Sequence, residues 1–295
     1  MTQEATQNGQ QLHPRITFIG GGNMAEAILA GLLRKGHPTD RLVVSEPMPE
    51  RQTYLREHYP ELAVHSDNTV ASADAELIVL AVKPGVVPAV LAGIRDIVAR
   101  NQAVLLSIAA GVRLTDMEQW LRGDDHATLQ PAIVRCMPNT PALVGHGATG
   151  LYANANASPK QRAAVETVLR AVSGALCWVT EESQLDAVTA VSGSGPAYFF
   201  LLMEAMEEAG VQAGLPRDIA AKLTAQTALG AAHMALQSDD NTAELRRKVT
   251  SPNGTTYAAI THMENGNVPE TLRAAVRAAA DRSAELGEEL GRSKM

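Results

Sequence analysis

Three glycines near the start of the chain have a spacing that suits the binding of a phosphate. Residues 18–27, Phe-Ile-Gly-Gly-Gly-Asn-Met-Ala-Glu-Ala, contain the pattern Gly20-x-Gly22-x-x-Ala25. Gly20 permits a tight turn, Gly22 lets the backbone approach a pyrophosphate, and Ala25 lets a helix pack closely on a strand. The N–H groups at the start of that helix would face the anion. A glycine-rich turn without a ligand is the alternative.

Polar residues after the second apolar run suit the ribose of a bound dinucleotide. Ser45 and Glu46 follow Arg-Leu-Val-Val. A carboxylate at this place accepts hydrogen bonds from a ribose 2′-hydroxyl and repels a 2′-phosphate. Arg51 would compensate for a phosphate, and Glu46 is equally consistent with an exposed turn. The choice between NADP and NAD therefore stays open.

Two later segments also leave buried strands. Lys83, in Leu-Ile-Val-Leu-Ala-Val-Lys-Pro-Gly, follows the carboxyl end of a strand, where open α/β sheets bind ligands. An ordinary solvated lysine is the equal alternative. The loop at residues 137–141, Met-Pro-Asn-Thr-Pro, contains two prolines, which favours a preformed surface over a flexible linker.

A hydroxyl-rich turn further along the chain suits a small carboxylate. Residues 250–256, Thr-Ser-Pro-Asn-Gly-Thr-Thr, place a Pro-Asn-Gly turn before a predicted helix. The helix N–H groups and the hydroxyls of Thr255 and Thr256 are suitable donors for an anion. Plain N-capping of the helix by these threonines is the equal alternative.

The elements that position these residues follow from the apolar pattern. Short apolar runs alternate with helix-sized segments up to about residue 179, which is typical of a doubly wound parallel sheet. The predicted strands are residues 15–19, 41–45, 62–64, 77–82, 103–108 and 132–137. Beyond them the pattern predicts helices over 196–209, with Gly210 as the stop, and over 216–237.

In the helix over 216–237, the strongly polar residues after the first turn trace one narrow polar stripe, formed by Lys222, Gln226, His233 and Gln237. We therefore expect the C-terminal helices to pack into a second subunit, with a monomeric bundle core as the alternative. The predicted fold is an α/β N-terminal Rossmann-type dinucleotide-binding domain over 15–180, followed by an all-α C-terminal dimerisation domain over 181–290. Residues 1–14 are polar and without periodicity, so we expect a disordered leader.

Composition excludes several classes of protein. The net charge of −7 comes without a cluster of Lys and Arg, which argues against nucleic acid. No apolar run approaches the ~18 residues of a membrane span, and no secretion signal is recognisable. Two cysteines on separate apolar stretches predict free thiols in the cytoplasm. No metal-ligand spacing, nucleophile elbow or Walker lysine is present, so we predict neither a metal site nor a hydrolase or kinase.

Five segments together closely resemble pyrroline-5-carboxylate reductase: residues 20–25, 81–84, 137–141, 192–198 (Ser-Gly-Ser-Gly-Pro-Ala-Tyr) and 250–256. Their order and spacing match that family from about residue 16 to about residue 282. The resemblance implies hydride transfer from NADPH or NADH to the C=N carbon of 1-pyrroline-5-carboxylate, giving L-proline in the last step of proline biosynthesis. It also implies intertwined homodimers, often assembled into decamers.

The resemblance further implies roles for individual residues. Those at the cofactor are Gly20, Gly22, Asn23, Met24, Ser45, Glu46, Asn68, Ala81, Val82, Lys83, Pro84, Ala109 and Ala110. Those at the substrate are Ser251, Thr255, Thr256 and Glu182, with the Thr256 hydroxyl near the ring nitrogen.

Two positions depart from the family pattern. Asn253 stands where glycine is usual, and because asparagine tolerates left-handed backbone, we expect the turn to survive. Glu46 stands where many members have a small hydroxyl at the 2′-phosphate. We therefore expect use of both NADPH and NADH.

Two other functions stay open. One is another two-domain NAD(P)-dependent oxidoreductase acting on a different imine or a β-hydroxyacid, for which Lys222 is the only candidate catalytic lysine on a second-domain helix. The other is a non-catalytic dinucleotide-binding regulator, against which residues 250–256 argue.

Overall fold

The chain divides into two compact units. The computed structural model describes residues 13–123 and 128–292. The first unit runs to Gly193 and includes the residues from Ala280 onward, whereas the second is Ser194–Ala279. The predicted disordered leader lies outside the described residues except for His13 and Pro14, whose carbonyl groups accept hydrogen bonds from Arg41 and His37.

An eight-stranded sheet forms the centre of the described part of the first unit, with the order β3-β2-β1-β4-β5-β6-β7-β8. The strands are β1 Ile16–Ile19, β2 Leu42–Ser45, β3 Ala63–His65, β4 Leu77–Leu80, β5 Val104–Ser107, β6 Ile133–Met137, β7 Gly147–Ala153 and β8 Ser173–Trp178. The six predicted strands are confirmed, and they pair in parallel. β7 runs antiparallel to β6 and parallel to β8. The apolar pattern does not predict β7 and β8, because glycine and alanine dilute it.

Helices cover both faces of this sheet. They are α1 Asn23–Arg34, α2 Pro49–His58, α3 Asn68–Ala71, α4 Val87–Asn101, α5 Leu114–Arg122, α6 Pro159–Leu169 and α7 Gln184–Val188. Successive strand residues enter opposite cores, so that Phe18 packs in one core and Ile19 in the other. The predicted cofactor residues lie at or shortly after the carboxyl ends of β1 to β5, the strands that these two cores cover.

The second unit is helical in its described residues. Its helices are α8 Gly195–Gln212, α9 Arg217–Gln237, α10 Thr242–Lys248, α11 Thr255–Asn265 and α12 Val268–Arg292, the last of which ends in the first unit. The predicted stop at Gly210 is wrong: α8 continues to Gln212, and the chain turns at Gly214, whose φ is +101°. Among residues 13–123 and 128–292, none of the helices combines the length and the apolar composition of a transmembrane span.

Large apolar side chains of α8 and α9 are exposed in the single chain. They include Phe199, Phe200, Leu201, Leu223, Leu229, Met234 and Leu236, the last being 81% exposed. The alternative that these helices form the core of a monomeric bundle is therefore wrong. The exposed faces need a partner surface, as the narrow polar stripe predicts.

Candidate functional site

The glycine-rich turn joins β1 to α1 at the carboxyl edge of the sheet. Gly20 has a φ of +97°, and a Cβ atom there would lie 2.5 Å from the carbonyl oxygen of Ala81, so only glycine fits. A Cβ atom on Gly22 would meet no described atom within 4 Å. No side chain caps the start of α1. The turn thus leaves backbone N–H groups and open space together, an arrangement that fits a pyrophosphate.

The residues predicted at the ribose are held together by hydrogen bonds. The hydroxyl group of Ser45, at the end of β2, donates to Oδ1 of Asn68 over 2.6 Å. Asn68 begins α3, directly after Asp67, whose carboxylate caps that helix. Two elements that follow adjacent strands therefore present polar groups at one place.

Glu46 is buried, so its interpretation as an exposed turn carboxylate is wrong. Its Oε2 accepts a hydrogen bond from the N–H of Gly21 over 2.9 Å, and its Oε1 accepts one from the N–H of Met48 over 3.0 Å. Burial of a carboxylate is costly unless such donors satisfy it. Both oxygens therefore bind this chain's own backbone, and Glu46 fastens the glycine turn to the segment after β2.

Arg51 holds the same turn from its other side. Its Nε donates to the carbonyl oxygen of Gly21 over 2.6 Å, and its Nη2 lies 2.5 Å from Oε2 of Glu26. Burial by itself would raise the pKa of Glu26, but the hydrogen bond and charge of Arg51, together with the hydrogen bonds from Tyr54 and Tyr59, outweigh it and lower that pKa. The sequence patterns miss Glu26, because an acidic residue in the first turn of a helix ordinarily just complements the helix dipole.

The segments after β4 and β5 complete this edge of the sheet. Lys83 precedes the short 3₁₀ helix Pro84–Val86 and is exposed, so its role at a ligand stays a prediction beside the alternative of an ordinary solvated lysine. The N–H of Ala109 donates to the hydroxyl oxygen of Ser107. In the sheet order, β1 lies between β2 and β4, so the chain reverses its direction of winding here. Open α/β sheets bind ligands at such a switch point.

Two other singled-out residues make structural contacts within the first unit. The carboxylate of Glu182 accepts a hydrogen bond from the N–H of Leu114 at the start of α5 and forms an ion pair with Arg135. Asn139, in the proline-stiffened loop, donates to the carbonyl oxygen of Ser192 and accepts from the N–H of Ala148. These contacts fix the positions of both side chains relative to their neighbours in the first unit. The predicted role of Glu182 at the substrate stays a prediction.

The turn at residues 250–256 forms as predicted in the second unit. Asn253 has a φ of +60°, which confirms that asparagine adopts the left-handed backbone here. Gly254 is the N-cap of α11, while Thr255 and Thr256 are its first two residues and are exposed. Plain N-capping by these threonines is therefore wrong. The carbonyl oxygen of Ser251 closes the turn by accepting from the N–H of Gly254.

Lys222, the candidate for a β-hydroxyacid enzyme, lies on α9 in the second unit. Its side chain is 79% exposed, and its ammonium nitrogen lies 3.9 Å from the carboxylate of Asp218, one turn earlier. This is the arrangement of a solvated helix lysine.

Comparison with known proteins matches both parts of the chain. A family profile described as pyrroline-5-carboxylate reductase dimerisation matches residues 182–286, and one described as NADP oxidoreductase, coenzyme F420-dependent, matches residues 15–111. The chain is 49% identical to pyrroline-5-carboxylate reductase of Pseudomonas aeruginosa over 94% of this chain and 98% of that one. It is 42% identical to that of Synechocystis over 92% of this chain and 98% of that one.

Solved structures give the same result. A pyrroline-5-carboxylate reductase from Coxiella burnetii superposes with a TM-score of 0.86 at 41% identity, over 93% of this chain and 99% of that one. The pyrroline carboxylate reductase of Plasmodium falciparum, solved with NADP bound, superposes with a TM-score of 0.79 at 28% identity, over 93% and 98% of the two chains.

The sheet, its glycine turn and these matches define a dinucleotide-dependent oxidoreductase with a helical second unit. The matches that cover most of the chain at high identity identify the family within that class. The chain belongs to the pyrroline-5-carboxylate reductase family.

Proposed function

We propose that this chain reduces the C=N bond of 1-pyrroline-5-carboxylate to give L-proline, the last step of proline biosynthesis, with NADPH or NADH as the reductant. The identity of 49% to a reductase of that name, over 94% of this chain, carries the proposal. The proline-forming reaction needs a hydride donor, a site for a small carboxylate, and control of geometry. The residues described above can supply the last two.

The carboxyl edge of the sheet supports cofactor binding. When bound there, the reduced nicotinamide supplies the hydride. The turn at Gly20 and Gly22 would receive the pyrophosphate with the N–H groups of Asn23 and Met24. Ser45 and Asn68 would contact the ribose, and the segments 81–84 and 109–110 would line the rest of the cofactor.

The turn before α11 supports substrate binding. The N–H groups at the start of that helix and the hydroxyl groups of Ser251, Thr255 and Thr256 form a set of donors suited to a carboxylate. Thr256 would also hold the ring nitrogen by a hydrogen bond. A cyclic imine protonated in solution is already electrophilic, so the protein mainly orients the reactants and needs no strong general acid.

We also propose that the exposed faces of α8 and α9 join two chains, and that such dimers assemble further, with a decamer as the expected form. The match to a dimerisation family over residues 182–286 supports the pairing of chains. A cytoplasmic location is part of the proposal.

The activity is tested by mixing the purified full chain with 1-pyrroline-5-carboxylate and NADPH or NADH, and following the loss of reduced-cofactor absorbance. We expect consumption that depends on the imine, with L-proline formed in equal amount. A control with a β-hydroxyacid and the oxidised cofactor should show no turnover. Absence of cofactor consumption with both nucleotides would refute the proposal.

A further inference from the structure

A network of charges surrounds the middle residue of the glycine turn. Glu46 binds the N–H of Gly21, Arg51 binds its carbonyl oxygen, and Glu26 binds Arg51. The hydroxyl groups of Tyr54 and Tyr59 both donate to the remaining oxygen of Glu26, at 3.1 and 3.2 Å. Each partner of Gly21 is therefore itself held in place by described contacts.

This network lies where a dinucleotide would present its ribose 2′-position, between the glycine turn and the end of β2. We propose that Glu26 is a positioning residue that sets the preference between NADPH and NADH by holding Arg51 away from a 2′-phosphate. The inference rests on the proposed function only in assuming that a nicotinamide dinucleotide binds at this edge of the sheet. It does not depend on the identity of the reduced substrate.

The orientation of Arg51 supports this role. The guanidinium group of Arg51 binds phosphate best with two parallel N–H groups. Here Nε and Nη2, which form one such pair of donors, are used by Gly21 and Glu26. The guanidinium also lies over the ring of Tyr54, 4.5 Å from its centroid, which restricts its rotation. Arg51 thus commits this pair of donors to its own chain rather than to a 2′-phosphate.

The balance of charge in the network also disfavours the binding of a 2′-phosphate. Glu26 and Glu46 contribute two carboxylates around one guanidinium, so the network carries an excess of negative charge. A 2′-phosphate would add about 1.5 to 2 further negative charges. NADH has only a hydroxyl group at this position, so its affinity should be much less sensitive to the charge of Glu26.

The test measures the Kd values of NADPH and NADH by fluorescence titration of the full chain and its Glu26→Gln variant. Glutamine keeps an oxygen that can accept from Tyr54 and Tyr59 but cannot hold Arg51 by charge. We expect NADPH affinity to rise about tenfold relative to NADH, the effect of one gained charge-assisted hydrogen bond. In the double variant Glu26→Gln with Arg51→Met, this gain should disappear.

The matched control is Glu50→Gln, which removes the same charge from an exposed residue next to Arg51 in the sequence. An equal gain in the control, an unchanged ratio in Glu26→Gln, or a gain that survives in the double variant would overturn the proposal. If Glu26→Gln does not fold, Arg51→Met alone decides. Arg51→Met should weaken the binding of NADPH and NADH equally. A selective loss of NADPH binding would show that Arg51 contacts the 2′-phosphate and would contradict the proposal.

These measurements separate two kinds of failure. Binding of neither cofactor by the natural chain would refute the proposed function itself. Binding of both with the ratio unaffected by Glu26 would refute only this inference.

Discussion

Thr256 stands at the beginning of a helix with its side chain exposed, and Gly254 caps that helix in its place. Its hydroxyl group is therefore not committed to capping, the usual use of threonine at a helix start. Neighbouring N–H groups of the first helical turn give the same place a partial positive charge. Thr256 is thus suited to orient a small anionic substrate.

We predict that Thr256→Ala lowers kcat about 10- to 100-fold, the range of one or two factors of ten per lost orienting hydrogen bond. The Kd of NADPH should stay the same, because the glycine turn that holds the cofactor is intact. Steady-state kinetics with cofactor titration measures both quantities. Thr256→Ser keeps the hydroxyl group and should recover most of the activity. Equal turnover in Thr256→Ala and the natural chain would remove Thr256 from the site.

At the scale of elements, the end of α12 buttresses the turn after β5. A Cβ atom on Gly111, whose φ is +75°, would lie 2.9 Å from Cδ1 of Leu290 and 3.7 Å from Cα of Gly287. The hydroxyl group of Ser283 also donates to the carboxylate of Asp186 over 2.7 Å. The last turns of α12 therefore pack against Gly111, directly after Ala110, and Ser283 joins α12 to α7.

A pair of glycine substitutions tests this contact. Gly111→Ala should lower the free energy of unfolding by about 1–2 kcal/mol, because a left-handed alanine is strained, and the overlap with Leu290 adds to that cost. It should also weaken cofactor binding, since the turn carries Ala109 and Ala110. Gly287→Ala adds the same methyl group at 3.4 Å from its nearest neighbour and within a helix, so it should be close to neutral. Urea denaturation compares the two, and equal stability would contradict the contact.

At the scale of the whole molecule, the exposed apolar surface of α8 and α9 is the surface that we propose a second copy of the chain covers. Phe199 and Phe200 are 63% and 64% exposed, and Leu229 in the middle of α9 is 50% exposed. Apolar groups that remain in water contribute nothing to folding, whereas burial of each large side chain stabilises by about 1.5–3 kcal/mol. Self-association through these faces would thus bury apolar surface that the single chain leaves in water.

Leu229→Glu should therefore shift the chain to smaller assemblies, because the interface would have to bury an unpaired carboxylate. Size-exclusion chromatography with light scattering measures the mass, and circular dichroism checks that the helices persist. Gln226→Glu introduces the same charge on the polar stripe of α9 and should leave the mass unchanged. An unaltered mass in Leu229→Glu would place the interface elsewhere.

Local patterns in the sequence determined a large part of this protein. Apolar runs predict β1 to β6, the strand–glycine–helix order predicts the turn at Gly20, and residues 250–256 point to the family. These features depend on residues only a few positions apart, so the local sequence predicts their backbone conformation and their burial. The local sequence does not predict β7 and β8, because these strands are rich in glycine and alanine and their pairing depends on the rest of the sheet.

Only the tertiary structure decided how the side chains are used. Glu46 binds the N–H groups of Gly21 and Met48, contacts that no local pattern in the sequence shows, while its predicted place at a ribose stays a prediction. Glu26 meets Arg51 across 25 positions, and Gly287 meets Gly111 across a much longer separation. Such contacts depend on how whole elements bury their faces against each other, and that burial is a property of the assembled fold rather than of any short stretch of sequence.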